Sequence, residues 1–126
     1  MPIATVNPAT GEIIKVFQPL SDEAIEKKLQ LAVTVFKAER KTPFAVRAQR
    51  MRKAAEILER DKEKFAHLMT LEMGKTYKSA LAEAVKCTTA CRYYAENAEK
   101  LLADEVLDSG AKKSFIRYLP VGPIPL

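Results

Sequence analysis

Two thiols and one imidazole are the side chains here whose types invite chemistry. Cys87 and Cys91 stand four apart, a spacing that puts both on one face of a helix. Two thiols make half a metal site. The one histidine, His67, falls on a different expected helix, so the pair reads as two small buried thiols in a reducing compartment. A nucleophilic thiol needs a lowered pKa and a base beside it, and neither cysteine has a base next to it in sequence. On this reading the chain supplies no catalytic, no cofactor-binding and no metal-ligating residue.

A second chemical candidate is charge. Between Lys37 and Lys64 stand ten Lys or Arg (Lys37, Arg40, Lys41, Arg47, Arg50, Arg52, Lys53, Arg60, Lys62, Lys64) and five acids (Glu39, Glu56, Glu59, Asp61, Glu63), which accounts for the whole net charge of +5. A basic stretch is the electrostatic footprint of a nucleic-acid binder. Here acids interleave from Glu56 onward and no aromatic platform accompanies the charge, so the stretch reads as a solvated helix face and nucleic acid is not an expected partner.

The element that must position all of these is the run 76–105. It contains no Gly or Pro and is rich in Ala, Leu, Glu and Lys, which are strong helix formers. Apolar or small side chains recur at Tyr77, Leu81, Ala84, Val85, Thr88, Cys91, Ala95, Ala98 and Leu102, the spacing of one buried helix face. A second row (Ala80, Cys87, Ala90, Tyr94, Leu101) widens that face, so the helix should be packed on two sides and serve as a spine to about Leu107.

Before it, residues 3–7 and 12–18 read as two short strands joined through Asn7-Pro8-Ala9-Thr10-Gly11, a turn with Pro and Gly in their usual places. Ser21 is an expected N-cap with Asp22 and Glu23 behind it, opening a helix to about Arg40 whose inner stripe is Ile25, Leu29, Ala32, Val33 and Phe36. Thr42-Pro43 opens a second, with Thr42 as N-cap and Phe44, Ala48, Met51, Ala54, Ala55 and Leu58 inward. A third starts near Asp61, turns Phe65, Leu68, Met69 and Leu71 inward, and ends at Gly74. After a turn at Asp108-Ser109-Gly110, residues 113–119 read as a strand with no evident partner. The last seven residues hold three prolines and do not suit an interior strand.

The expected fold is mainly α (α+β), one domain over 1–126: a β-hairpin in 1–20, a four-helix layer in 21–108, then a strand and Pro-rich tail in 109–126. A chain of 126 residues buries roughly two-thirds of its unfolded surface on folding, enough for a core. No apolar run approaches the ~20 residues of a membrane span, and the first residues lack a signal peptide's basic start and apolar run. The expectation is a cytoplasmic protein with no membrane partner.

Five segments, in this order, carry a resemblance: Asn7-Pro8-Ala9-Thr10-Gly11-Glu12, Thr42-Pro43-Phe44-Ala45-Val46-Arg47-Ala48, Leu71-Glu72-Met73-Gly74-Lys75, Arg92-Tyr93-Tyr94-Ala95, and Ser114-Phe115-Ile116-Arg117-Tyr118 followed by Pro120-Val121-Gly122-Pro123. With these the chain resembles, over residues 3–123, the N-terminal part of an NAD(P)-dependent aldehyde dehydrogenase of the succinate-semialdehyde dehydrogenase type. Glu39 departs from the pattern, since the family often has Trp there; a core or surface contact should be lost. The resemblance implies a helical layer beside a dinucleotide-binding domain, a strand at 114–118 belonging to the oligomerisation arm, and a further strand that should begin where Pro125 stands.

It also implies that the family's nucleophilic cysteine, general-base glutamate, catalytic asparagine and dinucleotide fold lie beyond these residues. The expectation is therefore a truncated dehydrogenase, inactive alone and binding no cofactor alone, where the full-length family uses NAD or NADP. It should self-associate or pair with aldehyde dehydrogenase polypeptides through residues 112–119. The alternative is a helical interaction module that joins a full-length paralogue or a separately encoded C-terminal part.

Overall fold

A computed structural model describes residues 3–124. Strands β1 (Ile3–Val6) and β2 (Ile13–Phe17) form an antiparallel hairpin, with Ile3 opposite Phe17 and a register irregularity at Thr5/Val6. The Asn7 side chain accepts from the Ala9 amide at 2.9 Å and Gly11 takes a φ of 77°, so the Asn-Pro-Ala-Thr-Gly segment forms the expected turn. Four helices follow: α1 (Asp22–Glu39), α2 (Phe44–Arg60), α3 (Lys62–Met73) and α4 (Tyr77–Leu101).

The spine expectation holds in its main point. Helix α4 packs along both α2 and α3, which scarcely touch each other. The seam is built from small side chains. Among the described residues Ala55 of α2, Ala66 of α3, and Ala80, Ala84, Thr88 and Ala95 of α4 are the buried ones, and none with a large side chain is fully buried. Small residues let helix axes approach closely, and the Thr88 hydroxyl turns back to donate to the Ala84 carbonyl at 3.2 Å. Phe44, Ala48, Met51, Ala54 and Leu58 of α2 are half-buried around the seam, as are Phe65, Met69 and Leu71 of α3.

Several expectations are corrected. Thr42 is not an N-cap: Pro43 holds the cap position of α2, no side chain caps the helix, and the Thr42 hydroxyl donates to the Glu39 carboxylate at 3.3 Å. Ser21 does cap α1, accepting from the Ala24 amide at 3.2 Å. Leu68 faces outward, as do Tyr77 and Val85, because the three-helix seam covers a narrower arc of α3 and α4 than their apolar residues span. All four expected helices are present, with α1 standing apart from the seam that joins the other three. No residue of α1 is buried and α1 makes no extensive contact with another element; of its expected inner stripe only Ala32 and Phe36 are half-buried.

The end of the spine is also different. Helix α4 stops at Leu101, not near Leu107, and residues expected to be its last turn form strand β3 (Glu105–Leu107). This strand pairs antiparallel with β4 (Ser114–Ile116), Glu105 opposite Ile116 and Leu107 opposite Ser114. The strand expected to lack an intramolecular partner therefore has one. Helix propensity alone would continue through Glu105-Val106-Leu107; hairpin pairing across the turn at Gly110 (φ 72°) overrides it, since β-branched and apolar residues also suit a strand. The expectation about Pro125 lies outside the described residues.

Gly74 closes α3 at φ 68°, its amide donating to the Thr70 carbonyl at 3.0 Å. Pro8 of the hairpin turn lies directly against it: a Cβ on Gly74 would sit 2.9 Å from Pro8 Cγ. This contact seats the hairpin turn on the C-terminal end of α3.

Candidate functional site

The cysteines differ from their expected burial. On α4, Cys87 is exposed and Cys91 half-buried. The seam runs through Ala80, Ala84, Thr88 and Ala95, which leaves Cys87 on the open side. Cys87 lies in a shallow groove with Lys75, Ser79, Glu83 and Lys86, where the Lys75 ammonium pairs with the Glu83 carboxylate. His67 is exposed on α3. Among the described residues no three His, Cys, Asp or Glu side chains gather as metal ligands, and no hydrogen bond joins either thiol to a base.

The basic stretch is distributed over the end of α1, the whole of α2 and the start of α3. Much of its charge is answered locally. Arg50 donates to Glu39 at 2.6 Å, Lys53 pairs with Glu56 at 2.9 Å, and Arg60 holds Asp61 through two bonds of 2.9 and 2.8 Å. Arg92 of α4 reaches Glu59. Arg40 lies over the Phe36 ring and Arg47 over Phe44. The hydrogen bond from Arg50 holds the Glu39 carboxyl below its ordinary range, and Arg60 does the same to Asp61. Glu39, where the family often has Trp, thus forms a polar clasp between α1 and α2.

Two surfaces remain with chemistry unanswered. One is a groove of about 400 Å³ between the N-terminal half of α2 and the C-terminal end of α4. Phe44, Met51, Tyr94 and Leu102 give it apolar walls, and Glu96 and Glu99 stand in its α4 wall without ion-pair partners among the described residues. Sequence reasoning placed these apolar residues on inner faces but had no signal that a groove stays open between them.

The other is the β3–β4 hairpin. Arg117 grips Asp104 with two bonds of 2.9 and 2.5 Å, Tyr118 donates to Glu105 at 2.7 Å, and the Ser109 and Ser114 hydroxyls are 2.6 Å apart. Lys113 and Arg117 flank the Phe115 ring at 5.4 and 4.7 Å. The hairpin is thereby held together from within while Val106, Ile116, Tyr118 and Leu119 stay open to solvent. Two strands leave two unpaired edges. No helix among the described residues is long and apolar enough to cross a membrane.

The aldehyde dehydrogenase family model matches residues 1–126. A probable NADP-dependent succinate-semialdehyde dehydrogenase of Synechocystis is 50% identical over 98% of this chain, and a succinate-semialdehyde dehydrogenase of Mycobacterium avium is 51% identical over the same share. This chain spans 27% of the length of each of these relatives. Among solved structures, succinic semialdehyde dehydrogenase of Streptococcus pyogenes with NADP⁺ superposes with a TM-score of 0.83 at 29% identity, over 89% of this chain and 25% of that one. Betaine aldehyde dehydrogenase of Staphylococcus aureus with NAD⁺ gives 0.81 at 25% identity, over 94% of this chain and 24% of that one. The fold of these residues is therefore shared with enzymes about four times as long, and the chain belongs to the aldehyde dehydrogenase family.

Proposed function

We propose that these residues form the N-terminal structural layer of an NADP-dependent dehydrogenase acting on succinate semialdehyde, and that they supply scaffold, not reacting groups. The observation that carries this is the placement of the two thiols. Both lie on a regular helix with no base bonded to them, whereas a catalytic thiol needs a partner that holds its proton. The substrate and the choice of NADP rest on the names of relatives at about half identity. The reading also fits a seam made of alanines, which leaves many large apolar side chains for burial against other structure.

In this reading the chain works in the cytoplasm by assembly. Strand β4 and its flanks, residues 112–119, pair with aldehyde dehydrogenase polypeptide through an open edge of the β3–β4 hairpin. The test is a pair of assays. The 126-residue chain, given succinate semialdehyde and NADP⁺, should form no NADPH. The polypeptide completing a relative, inactive by itself, should gain activity when this chain is added. Turnover by this chain alone would refute the scaffold role. An unchanged rate in the mixture, with no co-elution, would refute assembly.

The module reading differs in one respect: the chain would join a complete enzyme and change its oligomer. The hairpin's internal clasp favours it, because a strand pair already formed can add to a foreign sheet without reorganising. Co-elution with a full-length relative from this family tests it, and an unaltered elution profile of both would refute it.

A further inference from the structure

The spacing of Cys87 and Cys91 restricts how the two thiols can be joined. They lie four residues apart within α4, so their Cβ atoms stand about 5–6 Å apart on one face of the helix. A disulfide needs Cβ atoms about 3.5–4.5 Å apart. The helix therefore holds the pair too wide for a direct S–S bond, while a single larger atom placed between the two sulfurs spans the gap. Both thiols are free, Cys87 exposed and Cys91 half-buried. Beside Cys87 runs the open groove of about 520 Å³ whose lining includes the small residues Ser79, Ala82 and Ala90, which leaves room for a substituent on the bridging atom. Among the described residues no third His, Cys, Asp or Glu joins the pair, so the four-ligand shell of zinc is not on offer. Thiolate sulfur selects soft partners, and the partner that fits is one satisfied by two sulfurs.

We propose that Cys87 and Cys91 form a dithiol site for trivalent organic arsenicals, the arsenic bridging the two sulfurs along one face of α4. The reaction is a condensation with no change of oxidation state. An arsenical R–As=O gives up its oxygen, two As–S bonds form, two S–H bonds break, and both protons leave with that oxygen as water. The exposed Cys87 sulfur bonds first, and Cys91 closes the ring from the next turn of the same helix. The second closure is intramolecular, so the pair holds arsenic far more tightly than either thiol alone. Because the bridge links i to i+4, it fastens one turn of α4 and stabilises the folded chain that carries it. The site is independent of the scaffold role and of the strand pairing proposed above, since it uses neither an absent domain nor an open strand edge.

The test uses the full 126-residue chain, kept reduced with a phosphine, and phenylarsine oxide as the probe. Intact mass should show one phenylarsenic unit per chain with the two thiol hydrogens lost, and no titratable thiol should remain. The adduct should survive excess 2-mercaptoethanol and be stripped by 2,3-dimercaptopropanol. Cys87→Ser and Cys91→Ser should each raise the Kd for the arsenical at least about a hundredfold, since each leaves a single sulfur, and both adducts should be lost to 2-mercaptoethanol. Circular dichroism checks that each variant keeps its helices, and Cys91→Ala serves as a second variant at the half-buried position. The probe should raise the Tm of the wild-type chain and leave that of the single variants unchanged. Two arsenicals per chain, arsenic bridging two chains, a single variant that binds as tightly as the wild type, or a Tm lowered by the probe would each overturn the proposal. So would an intrachain Cys87–Cys91 disulfide formed by mild oxidation of the folded chain, because that bond requires a closer pair than the helix provides.

Discussion

Gly74→Ala tests the way the hairpin is seated on the helical layer. Gly74 holds φ 68°, a left-handed conformation that costs an L-residue about 1–2 kcal/mol. Alanine would recover about 0.4–1 kcal/mol by restricting the unfolded chain, but its Cβ would also lie 2.9 Å from Pro8 Cγ, closer than carbon atoms tolerate. The proline ring must move, and the turn with it. The net expectation is a loss of about 1–2 kcal/mol, seen as a lower urea midpoint and a Tm fall of roughly 5 °C or more. The steric part separates in a double-mutant cycle. With Pro8→Ala the nearest remaining atom is Pro8's own Cβ position, 3.7 Å away, so Gly74→Ala should cost less in that background by about 0.5 kcal/mol or more. A Gly74→Ala chain as stable as the parent would refute the strain argument, and a cycle with no coupling would refute the seating of the turn on α3.

Three further outcomes follow from other parts of the structure. Ala80→Leu, at a site with no exposure on the seam of α4, should cost about 1–3 kcal/mol by overpacking, whereas Ala82→Leu on the open face should change the urea midpoint little; equal effects would contradict the alanine seam. The hydrogen bond from Arg117 holds the Asp104 carboxyl below its ordinary value of 3.8. The contribution of that pair is therefore present above about pH 4 and is lost as pH falls through the lowered folded value, so the protection factors of β3–β4 amides, taken relative to their intrinsic exchange rates, should fall in acid, and Asp104→Asn should remove that pH dependence. Cys87 should react with a disulfide reagent well before Cys91, and Cys87→Ser should abolish the fast phase while leaving the Tm almost unchanged; a single phase for both thiols would contradict their different exposure.

Much of the local structure was legible along the chain. The Asn-Pro-Ala-Thr-Gly turn, the Ser21 cap, the Gly74 stop and the long Ala-rich spine each announce themselves through backbone chemistry acting within a few residues. The family was legible too, because its motifs are short and ordered. What the chain did not disclose is whatever depends on a second element. Glu105-Val106-Leu107 suits either the last turn of α4 or a strand, and only the pairing with Ser114–Ile116 decides it. Thr42 has the chemistry of a cap, but the Glu39 carboxylate, itself held by Arg50, takes its hydroxyl.

The candidate surfaces divide the same way. The sequence determined that Cys87 and Cys91 share one helix, since the 3.6-residue repeat is intrinsic to the chain. Only the tertiary structure decided which arc of each helix is covered. The seam closes on alanines and so buries a narrow arc; Cys87 is left in solvent, no residue of α1 is buried, and a groove stays open between α2 and α4. Periodicity counts the apolar faces of a helix, while the number and position of the neighbours set which of them are filled.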